Sequence, residues 1–363
     1  MTIVSTIVTL LIFTVIVVVH EYGHFVAARK NGIMVEEFAV GMGPVIFSRK
    51  KGETLYSIRA FPIGGFCKML GEEDESDDPR SFSSKKVWQR IVVCMAGVVM
   101  NFLLAVVLGC IIISATSMRT PLITDVIDGN PAQIAGILPG DRILKIDGKK
   151  IWAHDYVGHY LGIVGSNPVE IVLERNGSRV STVLTPYAEP LSNGVLKYYM
   201  GVIVENKVGF FSNEKGEYET AGFAETVKGA FGQSLFYVST VIDGVSQLFQ
   251  RKVDADDLLG PIGMGQIVDS GLREAVQMEE ESAMRDFTIF AVRLAMLLSA
   301  NLAVMNLLPI PALDGGRIVF LIIEGVRRRP IDPEKEGWIH LAGFALVMLL
   351  GILVAFNDIR RIF

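Results

Sequence analysis

The sequence predicts a polytopic α-helical membrane protein with four transmembrane segments, a membrane-associated β-hairpin and one extracytoplasmic α+β domain. Three observations carry that expectation. Half of the 363 residues are hydrophobic and only 20% are charged, and the mean hydropathy is positive, which is unusual for a soluble enzyme of this size. The apolar residues gather in four runs, residues 3–19, 91–115, 287–308 and 338–356, each near the ~20 residues that cross ~30 Å of hydrocarbon. Between the second and third runs lies a long segment of short apolar alternations bounded by Gly, Asp and Asn, the pattern of small twisted strands.

The first run has no basic n-region and continues into His20-Glu21-Tyr22-Gly23-His24 instead of a small-residue cleavage site, so it reads as a span and not as a signal peptide. Two β-like runs at 36–48 and 54–63 flank Lys50-Lys51-Gly52-Glu53 and read as a hairpin. The acidic run Glu72, Glu73, Asp74, Glu75, Asp77 and Asp78 reads as a solvated loop. After the second span, strands are expected within 125–148 and 169–177, with a helix near 154–164. His154 and His159, spaced i and i+5, suit a shared metal poorly and read as surface or core residues. Residues 223–249 fit either an amphipathic helix on the outer leaflet or a helix packed on the external domain. His340, at the start of the fourth span, reads as an interfacial side chain. The net charge of -5 points away from a nucleic-acid partner, and the three cysteines form no disulfide framework.

Basic residues follow the first span (Arg29, Lys30, Arg49, Lys50, Lys51), precede the second (Lys85, Lys86, Arg90) and separate the third from the fourth (Arg317, Arg327, Arg328, Arg329). The positive-inside bias makes these loops cytoplasmic and puts the N-terminus and residues 117–286 outside, with Arg360 and Arg361 counting weakly against it. The first and third spans then both run inward. His20 and His24 at the end of one fall at a depth similar to Asp314 at the end of the other.

His20, Glu21 and His24 form H-E-x-x-H, whose histidines share a helix face and can bind one Zn²⁺ while the glutamate activates a water. Placed after seventeen uncharged residues, these ionisable groups each cost roughly 2.5–3.5 kcal/mol on insertion scales, which marks them as functional. Catalytic zinc takes a third protein ligand, and Asp314 is the best-placed candidate, although it could instead cap a helix after a proline turn. It follows Pro309 and Pro311, which break the helix, and precedes Gly315 and Gly316.

These residues resemble the site-2 protease family of intramembrane zinc metalloproteases, in its bacterial regulator-of-sigma-E protease type. The resemblance covers nearly the whole chain. It includes the His20–His24 motif, Gly41-Met42-Gly43-Pro44, Pro62-Ile63-Gly64-Gly65-Phe66, residues 82–90 leading into Ala96-Gly97 and Asn101, Gly260-Pro261-Ile262-Gly263, and residues 306–314. It departs at Val98, where family members often have proline. The resemblance implies one zinc per chain on His20, His24 and Asp314, Glu21 as general base, Asn306 as a group that helps hold substrate, and membrane re-entry of the hairpin. An unpaired hairpin edge near the metal would receive an unwound substrate segment. Residues 125–177 also resemble a single PDZ domain of the bacterial protease type.

The expected organisation is 1–30 for the first span with H-E-x-x-H, 31–86 for the hairpin and acidic loop, 87–117 for the second span and 118–188 for the PDZ-like domain. Residues 189–285 form an extracytoplasmic linker with amphipathic helices, 286–317 the third span, 318–336 a cytoplasmic loop and 337–358 the fourth span. The expected activity is hydrolysis of transmembrane segments in the bacterial cell membrane, with anti-sigma factors already cut outside and remnant signal peptides as the substrates the family implies. A non-catalytic peptide-binding scaffold would leave Glu21 and Asp314 without a purpose, and a tethered peptidase acting on soluble peptides differs only in substrate.

Overall fold

The computed structural model describes residues 2–72, 76–191, 196–212, 218–250, 260–277, 282–329 and 332–362; Glu73, Asp74 and Glu75 of the acidic run lie outside them. The chain opens with α1 (Ile3–Lys30), β1 (Val35–Lys51), β2 (Thr54–Met69) and α2 (Val87–Ala115). There follow β3 (Ser117–Val126), α3 (Pro131–Ile134), β4 (Arg142–Ile146), β5 (Lys149–Lys150), α4 (Asp155–Val164), β6 (Val169–Arg175) and β7 (Ser178–Leu184). Next come β8 (Tyr187–Pro190), β9 (Leu196–Tyr199), β10 (Val202–Val208) and α5 (Phe223–Phe249). The chain ends with α6 (Pro261–Gln277), α7 (Ala283–Leu307), α8 (Asp314–Arg327) and α9 (Pro333–Ile362). Two compact units emerge, Met1–Ala105 with Thr240–Phe363, and Val106–Ser239.

In the first unit, and in α2 as it leaves it, lie the four described helices long and apolar enough to cross a membrane: α1, α2, α7 and α9. Each contains or closely tracks one of the four apolar runs. The start of α1 is fixed by Thr2, whose hydroxyl accepts the Ser5 N–H at 3.2 Å. Asp269 of α6 sits at the same end and accepts from Thr2 N–H at 2.6 Å and Ser5 Oγ–H at 2.8 Å. A carboxylate there complements the helix dipole. Asp358, near the C-terminal end of α9 and 1% exposed, accepts the Gly260 and Gly263 N–H groups at 3.1 and 2.9 Å. The Gly260-Pro261-Ile262-Gly263 stretch is thus the capped start of α6.

The hairpin is more elaborate than two strands and a turn. Residues 37–40 of β1 pair with 55–58 of β2 on one side and with 65–68 on the other. Both strands therefore fold back on themselves, and the bends fall at Gly41, Gly43 and Gly64, with φ of 85°, 84° and 86°. Glycine adopts these angles without the Cβ penalty, which gives the two glycine motifs a structural role. The folded-back tip lies beside α1, where Thr14 Oγ donates to the Pro62 carbonyl at 2.7 Å. Thr14 precedes His20 by six residues, about 9 Å along a helix at 1.5 Å per residue.

The second unit holds a six-stranded sheet in the order β10-β3-β4-β6-β7, with β5 on β4. Alternate residues of β6, Val169, Ile171 and Leu173, meet Ile143 and Ile146 of β4 and Tyr156, Val157 and Leu161 of α4 in one core. β10 pairs antiparallel with β3 from Val202↔Val126 to Val208↔Ser117. The sheet therefore reaches beyond residue 188, into what the local pattern presents as linker, because pairing between distant strands leaves no periodic signal. Of the two readings of 223–249, packing is what the first half of α5 displays. Phe236 lies edge-on to Tyr156 at 6.1 Å and to His159 at 5.8 Å, and a Cβ on Gly232 would stand 2.4 Å from the Trp152 carbonyl oxygen. His154 and His159 are partly buried in this unit.

Asp141 is fully buried here and accepts from Arg175 Nε at 2.8 Å, Arg175 Nη2 at 2.7 Å and Leu138 N–H at 2.9 Å. Burial pushes its carboxyl up, but the hydrogen bonds from Arg175 and Leu138 outweigh this and leave it below the usual carboxylate range.

Candidate metal site

His20 and His24 stand one turn apart on the buried face of α1. The Nδ1 of His24 lies 2.9 Å from the Val93 carbonyl of α2. A carbonyl only accepts, so Nδ1 carries the proton and Nε2 presents a lone pair. That Nε2 is 3.1 Å from His20 Nε2. Asp314, the first residue of α8, places Oδ2 3.1 Å from His20 Nε2 and 3.4 Å from His24 Nε2. It caps no helix: the N-cap position is Leu313, which makes no side-chain cap bond.

The geometry fits zinc. A tetrahedral ion with Zn–N and Zn–O near 2.0–2.1 Å separates its ligand atoms by about 3.3 Å, and the three atoms here are 3.1 to 3.4 Å apart. Their chemistry fits too. Two imidazole lone pairs and a carboxylate face one another, and Asp314 Oδ2 is buried without a hydrogen-bond donor. A cation placed among them would satisfy all three. The same three residues form the described group of His, Cys, Asp and Glu able to hold a metal.

Neighbouring residues set the orientation. Asn101 of α2, fully buried, approaches His20 Nδ1 at 3.3 Å through its amide nitrogen while its Oδ1 has no partner. Amide N and O are assigned from such contacts, and turning the amide lets Oδ1 accept the Nδ1–H of His20, freeing Nε2 for the metal. Asn101 also accepts, at its backbone carbonyl, from Ser299 Oγ of α7 at 2.8 Å. Close approach of α2 to α1 depends on glycine: a Cβ on Gly97 would lie 2.5 Å from His24 Nε2, and one on Gly23 2.4 Å from the Ala96 carbonyl oxygen.

Asn306, in the last turn of α7, points Nδ2 at His20 Nε2 from 3.2 Å. Glu21 does not join the three-atom group; it lines, with Asn306, a cavity of about 960 Å³ that also reaches His20, His24 and Asp314. The end of β2, from Phe66 to Met69, forms another wall. Glu72 corrects the reading of the acidic run as solvent-facing. It is paired with Arg317 of α8, accepts the Met69 N–H at 3.3 Å and also lines the cavity.

The loop before Asp314 is strained. Ala312 has φ of 82°, a conformation that costs a non-glycine residue about 1–3 kcal/mol and persists only where its surroundings impose it. Its N–H donates to His340 Nδ1 of α9 at 3.0 Å, so His340 touches the loop and is not merely interfacial. Gly315 and Gly316 are required by contact, since a Cβ on either would come within 2.4 Å of a carbonyl oxygen of residues 307–310.

Of the sequence candidates, His20, His24, Asp314 and Asn306 converge, and Glu21 shares their cavity. The sequence assigned no role to Asn101 or His340. Asn101 carried a signal, as a lone amide within the apolar run 91–115. His340 carried none.

The donor set and its apolar helical setting define a class, the metal-dependent hydrolases embedded in membranes. The profile of peptidase family M50 matches residues 8–350. A protein of Clostridium perfringens named as a zinc metalloprotease is 37% identical over 353 residues, covering 96% of this chain and 97% of its own. A similarly named protein of Clostridium acetobutylicum is 34% identical, covering 98% and 97%. The zinc metalloprotease RasP of Geobacillus kaustophilus is 28% identical, again covering 98% and 97%. The chain belongs to peptidase family M50, the site-2 protease family.

Proposed function

We propose that this peptidase hydrolyses transmembrane segments of other proteins within the membrane, using one zinc ion held by His20, His24 and Asp314. The observation that carries the reading is the meeting of three atoms able to ligate a metal, 3.1 to 3.4 Å apart, at the ends of helices with the length and composition of membrane spans or directly after them. Zinc, when bound, supplies Lewis acidity that polarises the scissile carbonyl and lowers the pKa of a water. Glu21, adjacent in sequence but outside the ligand set, takes the proton from the attacking water and returns it to the leaving amine. The Asn306 amide N–H, directed into the site, donates to the substrate backbone and holds the bond in place. The apolar helices keep bulk water out.

A helical substrate must be unwound before its bonds can be reached, because they lie within its own hydrogen-bond ladder. Residues 65–68 of β2 pair with β1 on one side only, and strand addition along their other edge would hold an unwound segment beside the cavity. The sheet of the second unit, with α3 and α4, supports the PDZ-like reading, in which an extended peptide binds along a strand edge. In this reading the protein is a multi-pass protein of the bacterial cell membrane, with N-terminus and PDZ-like domain outside. The substrates are single-pass proteins such as anti-sigma factors trimmed externally, and remnant signal peptides, which makes the reaction a step of regulated intramembrane proteolysis.

The test is to incubate detergent-purified protein with a labelled transmembrane peptide and with a soluble peptide, each with and without chelator. Chelator-sensitive cleavage of the transmembrane peptide is expected; cleavage of the soluble peptide alone would replace this reading with that of a tethered peptidase. The orientation is checked by impermeant thiol labelling of intact cells, where a cysteine at position 149 should react and cysteines at 49 and 328 should not.

A further inference from the structure

We infer that His340 of α9 is a positioning residue of the metal site, acting through the backbone of Ala312 to aim Asp314 at the two histidines; this rests on the reading of Asp314 as a ligand. Two independent contacts point to it. His340 Nδ1 accepts the Ala312 N–H at 3.0 Å, two residues before Asp314. One turn further along the same face, Gly343 is buried against the loop, where a Cβ would lie 2.3 Å from the Pro311 carbonyl oxygen.

The rest of α9 sharpens the point. Residues 344–353 are all exposed on the protein surface. The N-terminal part of α9 meets the loop at the His340 acceptor and at Gly343. The ring of His340 packs on Phe320 of α8 at 5.4 Å between centroids. Since Nδ1 accepts, Nε2 carries the proton; Glu336 Oε1 lies 3.7 Å from it, beyond hydrogen-bond reach. His340 thus contacts the chain on both sides of Asp314, the loop before it and the helix after it.

The consequence for the site follows from backbone geometry. Asp314 begins α8 directly after Leu313, so the direction of its carboxylate is set by the dihedral angles of the loop. Ala312 sits at a φ that alanine does not adopt unassisted. The hydrogen bond to His340 gives its N–H a partner in that conformation. Without the acceptor the loop relaxes, α8 turns at its first residue, and the carboxylate leaves the narrow range of distances a tetrahedral ion requires.

The experiment uses full-length protein in detergent and measures zinc affinity by competition with a chromophoric chelator, together with kcat and KM on a transmembrane peptide. His340→Phe keeps a ring against Phe320 and removes the acceptor. His340→Asn places an amide oxygen near the position of Nδ1. Gly343→Ala pushes the loop from the same helix. The expected result is that His340→Phe and Gly343→Ala each weaken zinc binding by about 10- to 100-fold, the range for residues that orient a ligand. kcat should fall with KM unchanged, and His340→Asn should recover both zinc affinity and kcat. A purely structural role would lower the yield of folded protein and leave the zinc affinity of the folded fraction alone. Wild-type zinc affinity in His340→Phe, or no recovery in His340→Asn, overturns the proposal. Should His340→Phe fail to fold, wild-type affinity in Gly343→Ala overturns it equally. Asp314→Ala is measured alongside: if it loses zinc while the His340 variants keep it, only the present inference fails, and if it keeps zinc, the ligand assignment falls and this inference with it.

Discussion

Two carboxylates with buried oxygens have opposite surroundings in this protein. Asp141, in the sheet unit, has its oxygens filled by Arg175 and the Leu138 N–H. Asp314, in the helical unit, faces two imidazole nitrogens and has an oxygen with no donor at all. A buried charge must be paired. Asp141 carries its partner in the chain, whereas Asp314 Oδ2 has no donor among the described residues. Burial alone therefore does not separate a structural acid from a functional one; the count of donors does.

The largest expected effect breaks the contrast at the metal site. Asp314→Ala, His20→Ala and His24→Ala should each lose zinc and all cleavage, while Glu21→Gln should keep zinc and lose about 10²–10⁴-fold in rate, the usual worth of a general base. Metal content and single-turnover cleavage on the same preparations separate the two outcomes, and full zinc occupancy in Asp314→Ala would remove that residue from the ligand set. A smaller steric effect is expected at Gly97, where alanine adds an atom 2.5 Å from His24 Nε2. Gly97→Ala should weaken zinc binding in the same competition assay, and an unchanged affinity would mean that α2 can move away at no cost to the site.

The mildest effect falls on the other carboxylate. Asp141→Ala should destabilise the sheet unit by about 1–3 kcal/mol, because the Leu138 N–H and the partly exposed Arg175 guanidinium lose their acceptor. Zinc affinity should not change. Hydrogen exchange of β4 and β6 in the full-length protein reports this directly. The pH dependence has a definite sign. The folded carboxyl lies below its unfolded value of about 3.9, so its stabilisation is present above that pH and is lost as pH falls through the lower folded value. Protection in β4 and β6 should decline in acid more steeply in the native protein than in Asp141→Asn, and identical pH profiles would show that the pair contributes nothing.

The sequence by itself determined the four spans, because apolar length is a local property that needs no partner. It also placed His20 and His24 on one helix face, because one turn separates i from i+4. Asp314 stood out as a candidate through the proline break and the paired glycines around it, and the structure brings its carboxylate to the two histidines. Only the tertiary structure decided the rest. The fold-back of β1 and β2 at Gly41, Gly43 and Gly64, the recruitment of β10 by β3, the pairing of Glu72 with Arg317, the contact of Asn101 with His20 and the hold of His340 on Ala312 all join residues far apart in the chain. A periodic pattern records which face of an element is apolar, and it carries no information about which distant donor meets which acceptor; that is fixed when the helices pack and every buried polar group has to find a partner.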